Sequence, residues 1–217
     1  MFLKNLFVQN MDDQTKDFSD LGKDYKKIET SIISICDGKG IIDSFNESGS
    51  DSMHIIRGGG GNNPSLKEIV DQIEKIESEN IIILPNNPNI ITTVKQLNNL
   101  NLDKNIKIVN TKSIQQGIAA IFSFDPKKNF EENINNMKEA LNLMEEAYIT
   151  IATRDVVIDN KSIIKNKFFT VLNDEIFDYY DKSDVALKQI VHEMFKRKDL
   201  ITIFVGHDSV LKNYLNL

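Results

Sequence analysis

Three short isoleucine-rich runs, each giving way to a polar loop and then to a helical pattern, restrict this chain more than any other feature. Met53–Ile56 leads into Arg57-Gly-Gly-Gly-Gly-Asn-Asn-Pro-Ser65, Ile81–Leu84 into Pro85-Asn-Asn-Pro-Asn89, and Ile106–Val109 into Asn110-Thr-Lys-Ser113. Short apolar runs of this kind suit strands buried on both faces, which means a parallel sheet covered by helices. Right-handed crossovers then gather the carboxyl ends of the strands on one rim, where such sheets bind their ligands.

The β-α repetition spans 28–125. Ser31–Cys36 reads as a strand, Gly40–Glu47 as a short helix and Met53–Ile56 as a strand. Ser65–Glu77 reads as a helix with Leu66, Ile69, Val70, Ile73 and Ile76 on one face, opened by the capping box Ser65-Leu-Lys-Glu68. Asn80–Leu84 and Ile106–Val109 are strands; Asn89–Leu100 and Ile114–Phe122 are helices. The second half changes character. A helix at Asn129–Glu146 precedes short strands at Ala147–Ala152, Val156–Ile158, Phe168–Val171 and Glu175–Tyr179, with turn signals at Asp159-Asn-Lys161 and Asn173-Asp174. A helix at Ser183–Lys198 and a strand at Leu200–Val205 follow. The expected fold is therefore α/β, a parallel sheet with flanking helices at 28–125, followed by a smaller α+β subdomain at 126–217. Residues 1–27, with strand-like Leu3–Val8 and polar Asn10–Lys27, read as the end of a preceding domain and a linker.

Composition excludes several classes. A formal net charge of -6 argues against a nucleic-acid partner. No apolar run approaches the roughly 20 residues of a membrane span, and no signal peptide is evident, so a cytoplasmic location is expected. The single cysteine, Cys36, lies in a strand-like run and reads as a core residue in a reducing compartment. His54, His192 and His207 show no metal-ligand spacing. No nucleophile, paired carboxylates or metal cluster emerges, so no catalytic residue and no metal ligand is assigned.

The loops supply the candidate binding residues. Gly58 and Gly59 open a row of four glycines that is either a flexible turn or a close-approach backbone. With Asn63 and Ser65 at the start of the next helix, its amides would suit an anion. The row lacks the Gly-Lys-Ser/Thr ending of a Walker A loop. Asn86, Asn87 and Asn89 offer amide groups, of which capping by Asn89 would explain one. Thr111, Lys112 and Gln116 form a similar cluster, with Lys112 either solvated or facing an anion or a partner carboxylate. Arg154, followed by Asp155 between two strands, is either a ligand contact or half of a local ion pair.

Several strings occur in a telling order: Asn63-Pro-Ser65, Leu84-Pro-Asn-Asn-Pro-Asn-Ile90, Thr111-Lys-Ser-Ile-Gln-Gln-Gly-Ile-Ala-Ala120, Phe124-Asp-Pro126 and Ala152-Thr-Arg-Asp155. In this the chain resembles, over about 28–210, the C-terminal, DegV-like domain of the dihydroxyacetone-kinase-like proteins typified by the ATP-binding subunit of bacterial fatty acid kinase. Gly60, Gly61 and Asn62 stand where the family usually has Gln, Thr and Met, and Asn110, Ser113 and Gln115 also depart from its pattern. The resemblance implies that ATP and magnesium are held by an N-terminal domain with clustered aspartates, a motif missing here, so no cofactor is expected in this chain. The family's His-x-His string is missing too. The implied partner is the fatty-acid-binding subunit of the kinase, with a homodimer as a further expectation. The implied role is non-catalytic docking, so that the whole enzyme phosphorylates the fatty acid carboxylate. The alternative is a stand-alone fatty-acid or anion-binding module of DegV type. A triose kinase relative is a third reading, opposed by the lack of a histidine in the three loops.

Overall fold

The computed structural model describes residues 28–59, 61–158 and 161–205. Four strands, β1 (Thr30–Cys36), β2 (Met53–Arg57), β3 (Asn80–Leu84) and β4 (Asn105–Ile108), pair in parallel in the order β2-β1-β3-β4. Every residue of β1 is buried, as suits a central strand covered on both faces. The covering helices are α1 (Lys39–Gly49), α2 (Leu66–Lys75), α3 (Pro88–Val94), α4 (Ile114–Phe122) and α5 (Phe130–Leu143). Side-chain alternation along the strands divides the apolar residues between two cores. Ile32, Cys36, Ile82 and Leu84 pack with Phe45, Ile118, Ile121, Ile134 and Met137 from α1, α4 and α5. Ile33, Ile35, Ile81 and Ile83 pack with Ile69, Ile73, Ile90 and Val94 from α2 and α3. The chain steps from β1 outward to β2, then back across β1 to β3 and on to β4, so the topological switch point lies between β1 and β3.

The second unit is a three-stranded antiparallel sheet, β5 (Ala147–Ile151), β8 (Phe168–Leu172) and β9 (Glu175–Tyr180), in the order β5-β8-β9. Helix α6 (Ser183–Phe195) packs on all three strands. Asn173 and Asp174 join β8 to β9 with φ of 50° and 69°, the left-handed pair that a tight hairpin turn of the favoured hand needs. A register shift at Thr170/Val171 lets the Thr170 hydroxyl accept from the Asp178 N–H at 3.3 Å.

Several expectations are corrected. The single helix at Asn89–Leu100 is instead α3 followed by a 3-10 stretch, Lys95–Asn99. The β-branched run Thr92-Thr93-Val94 and the asparagines Asn98 and Asn99 weaken a continuous helix, and the chain tightens there. Lys161, placed in a turn by the sequence, begins β7 (Lys161–Ile163), which pairs with β6 (Val156–Ile158). The segment Leu200–Val205 forms no strand, and Leu200 is 84% exposed. Its β-branched residues have strand propensity, but propensity alone does not make a strand, and the segment pairs with none of the sheet edges among the described residues. Residues 1–27, with the strand-like Leu3–Val8, lie outside the described part.

Candidate functional site

The loops do share one rim, at the carboxyl ends of the parallel strands, but strand order separates them. The glycine loop follows β2 and the Thr111–Lys112 loop follows β4, at opposite edges of the sheet. At about 4.8 Å per strand spacing they stand roughly 14 Å apart, too far to share one small anion.

The glycine loop is held by its own backbone. The Gly58 N–H donates to the Cys36 carbonyl at 3.1 Å, and Gly59 and Asn62 exchange both backbone hydrogen bonds at 3.1 Å. Gly58 is required by packing, because a Cβ there would lie 2.5 Å from Pro64 Cδ and 2.9 Å from Ile35 Cγ2. Asn63 is exposed. Ser65 caps α2 as the sequence predicts. Its hydroxyl accepts from the Glu68 N–H at 3.2 Å, and the Glu68 carboxylate accepts from the Ser65 N–H at 2.7 Å and hydroxyl at 2.8 Å. These bonds hold the Glu68 carboxyl below its usual range.

Asn86 occupies the switch point and is only 5% exposed, with φ of 55°. Its side-chain Nδ2 donates to Ser34 Oγ at 2.8 Å and to the Ile35 carbonyl at 3.1 Å. Its backbone N–H donates to the hydroxyl of the fully buried Thr111 at 3.0 Å. One side chain and one hydroxyl thus fasten β1, β3 and the loop after β4. The Asn86 Oδ1 has no hydrogen-bond partner among the described residues and presses on α4, where a Cβ at Gly117 would meet it at 2.1 Å. The helix cap is Asn87, whose Oδ1 accepts from the Asn89 N–H at 2.8 Å, while Asn89 is exposed in the first turn of α3.

The loop after β4 is tied to the second unit by Glu146, which sequence reasoning missed. The Lys112 N–H donates to Gln116 Oε1 at 2.8 Å, and Gln116 Nε2 donates to Glu146 Oε1 at 2.9 Å. Ser113, the cap of α4, donates its hydroxyl to the other Glu146 oxygen. The Glu146 N–H in turn donates to Asn173 Oδ1 at 3.1 Å, and its carbonyl accepts from the Asn173 N–H at 2.9 Å. Nothing local marks Glu146 in the sequence; only its hydrogen bonds to residues about 30 positions away in both directions single it out. Beside this junction opens a cavity of about 370 Å³ lined by Pro88, Lys112, Ser113, Glu146, Tyr148 and Asp174, among others. The Lys112 ammonium forms no ion pair among the described residues.

Arg154 is exposed and lies beyond the end of β5 opposite the cavity, away from the other candidates. No Arg154–Asp155 ion pair forms among the described residues. Asp155 instead accepts from the Lys165 N–H at 2.6 Å and closes the turn locally. Cys36 is fully buried, and burial, the largest cause, pushes its thiol up to about 11. Among the described residues no group of three metal-ligating side chains could hold an ion, and no helix is long and apolar enough to cross a membrane.

Comparison with known proteins matches residues 31–214 to the FakA-like C-terminal family, which takes its description from a subunit of fatty acid kinase. The chain is 34% identical over 193 residues to uncharacterized proteins of Staphylococcus aureus strains USA300 and NCTC 8325 / PS 47. These alignments take in 87% of the chain and 35% of each relative, so the chain spans about a third of their length. A phosphotransferase system component EIIA from Streptococcus agalactiae is a distant structural likeness, 17% identical with a TM-score of 0.39 over 52% of this chain and 92% of that one. With the match running from β1 past α6, through both units, the chain belongs to the FakA-like family of fatty acid kinase C-terminal domains.

Proposed function

We propose that this chain is the docking module of a fatty acid kinase subunit. It presents its rim to a fatty-acid-binding partner, while ATP, magnesium and phosphoryl transfer to the fatty acid carboxylate belong to the rest of the enzyme. The observation that carries this reading is the internal use of the rim's polar groups. Asn86, Thr111, Ser113, Gln116 and Glu146 are bonded to one another or to the sheet. Groups engaged in this way make a rigid surface in place of a ligand cradle, and rigidity lowers the ordering cost of protein recognition. Asn63 and Asn89 remain outward on that surface. Arg154 lies off it.

The test is binding of the fatty-acid-binding protein to the purified chain, with Asn63→Lys and Asn89→Lys introduced together. The expected result is a loss of about tenfold or more in affinity, about 1.4 kcal/mol; unchanged binding sinks the rim assignment. ATP hydrolysis by the purified chain alone would sink the non-catalytic role.

One observation favours a second reading, a fatty-acid or anion-binding module of DegV type: the Lys112 ammonium stands unpaired, among the described residues, on the wall of a 370 Å³ cavity. Calorimetry with oleate separates the two. Binding that disappears in Lys112→Ala favours the module, and no binding to the unsubstituted chain favours docking.

A further inference from the structure

We propose that the cavity beside Glu146, together with the aromatic face next to it, receives an arginine from the partner protein. This rests on the docking reading and adds the chemistry of the contact. Tyr148 pairs across the sheet with Val171, and Tyr179 with Phe169. Directly opposed residues share a face, and so do residues two apart on β8, so Tyr148, Val171, Phe169 and Tyr179 lie on one side of the antiparallel sheet. Two of the four are large aromatic groups held open to solvent, Tyr148 at 50% and Tyr179 at 47% exposure. Tyr148 is also a wall of the cavity.

Charge selects the occupant. Asp174 lines the cavity, exposed and in no ion pair among the described residues. The Glu146 carboxylate accepts from the Ser113 hydroxyl and the Gln116 amide, neutral donors that leave its charge uncancelled. Two carboxylates, Glu146 and Asp174, therefore face one ammonium, Lys112, and the field in the cavity favours a cation. Arginine fits better than lysine. Its planar guanidinium stacks on an aromatic ring while its fork of N–H groups meets a carboxylate in two bonds. Tyrosine and arginine are also the residues on which interface energy concentrates. An arginine laid across Tyr148 toward Asp174 uses both features at once, and it turns the unpaired Lys112 into a repulsive element.

The test is calorimetric binding of the oleate-loaded fatty-acid-binding protein to the chain and its variants. Asp174 sits at φ of 69°, which asparagine tolerates well, so Asp174→Asn keeps the turn while removing the charge. Asp174→Asn and Tyr148→Leu should each weaken binding about tenfold, with the Asp174→Asn loss shrinking as salt rises. Lys112→Met should strengthen binding. Far-ultraviolet circular dichroism verifies that each variant is folded. Wild-type affinity in Asp174→Asn and Tyr148→Leu, or weaker binding in Lys112→Met, overturns the arginine seat and leaves docking through the rim standing. No binding by the unsubstituted chain overturns docking and the seat together.

Discussion

Replacing Gly117 with alanine ought to destabilise the chain, although alanine is the better helix former. Taken alone, helix propensity favours the substitution by about 1 kcal/mol. The structure opposes it, because the new Cβ would lie 2.1 Å from Asn86 Oδ1, 2.7 Å from its Cγ and 3.0 Å from its Nδ2. All three atoms belong to a side chain pinned at 5% exposure by two hydrogen bonds into β1. Moving Asn86 aside leaves the buried Ser34 hydroxyl and Ile35 carbonyl short of a donor, at about 1–3 kcal/mol each. Net of the helix gain, Gly117→Ala should cost about 1–5 kcal/mol. The sign reverses once Asn86 is glycine, a residue that accepts φ of 55° and has no side chain to clash. In that background Gly117→Ala should stabilise by about 1 kcal/mol, so the coupling between the two positions is about 2–6 kcal/mol. Urea unfolding of the four members of the cycle, followed by far-ultraviolet circular dichroism, measures this directly. A neutral or stabilising Gly117→Ala in the original background, or equal costs in both, refutes the packing argument.

Three further expectations concern single groups. His54 is half-buried on edge strand β2, and burial lowers its pKa below the usual 6.5. The unfolded chain therefore takes the proton first, and stability should fall as pH drops through about 6.5 and level off below the folded value. His54→Gln should flatten that limb in melting temperatures taken at about pH 7.5 and about pH 5.5; an unchanged slope refutes it. Cys36, with its thiol pushed up to about 11, should resist a disulfide reagent in the folded chain and react at once in urea. Fast labelling without denaturant contradicts its burial. Ser65→Ala removes the hydroxyl half of the α2 capping box, leaving the bond from the backbone N–H to Glu68, and should cost about 1 kcal/mol in urea unfolding; a cost near zero means that solvent replaces the cap.

The sheet and its two cores are legible in the sequence because isoleucine runs without alternation mean burial on both faces. The cap at Ser65 is legible because it is local, a hydroxyl and a carboxylate three residues apart. Strand order is not, since it depends on which way each crossover turns, and that is decided by helices choosing a face. For the same reason the glycine loop and Lys112 look like neighbours in sequence logic and stand at opposite edges in space. The asparagine string reads as outward-facing. Asn86 points inward because a left-handed backbone aims it at Ser34, 52 positions earlier, a partner no local pattern names. Leu200–Val205 shows the converse, strand propensity that no pairing with a sheet edge takes up among the described residues.

The central position of β1 also has a consequence for how the chain folds. Thr30–Ser34 pairs with Asn80–Leu84, and Ile32–Cys36 with Met53–Arg57, so β1 has both neighbours in place only after β3 is made. Nothing in α1 or β2 can close the second side of β1 until β3 has been synthesised. Pairings this distant along the chain are slow, because loop closure precedes any reward from contact. A nascent chain ending before Asn80 would expose one full edge of a strand made of isoleucine, serine, threonine and cysteine. The interval between β2 and β3 is thus the period in which this chain is most open to aggregation or to a chaperone.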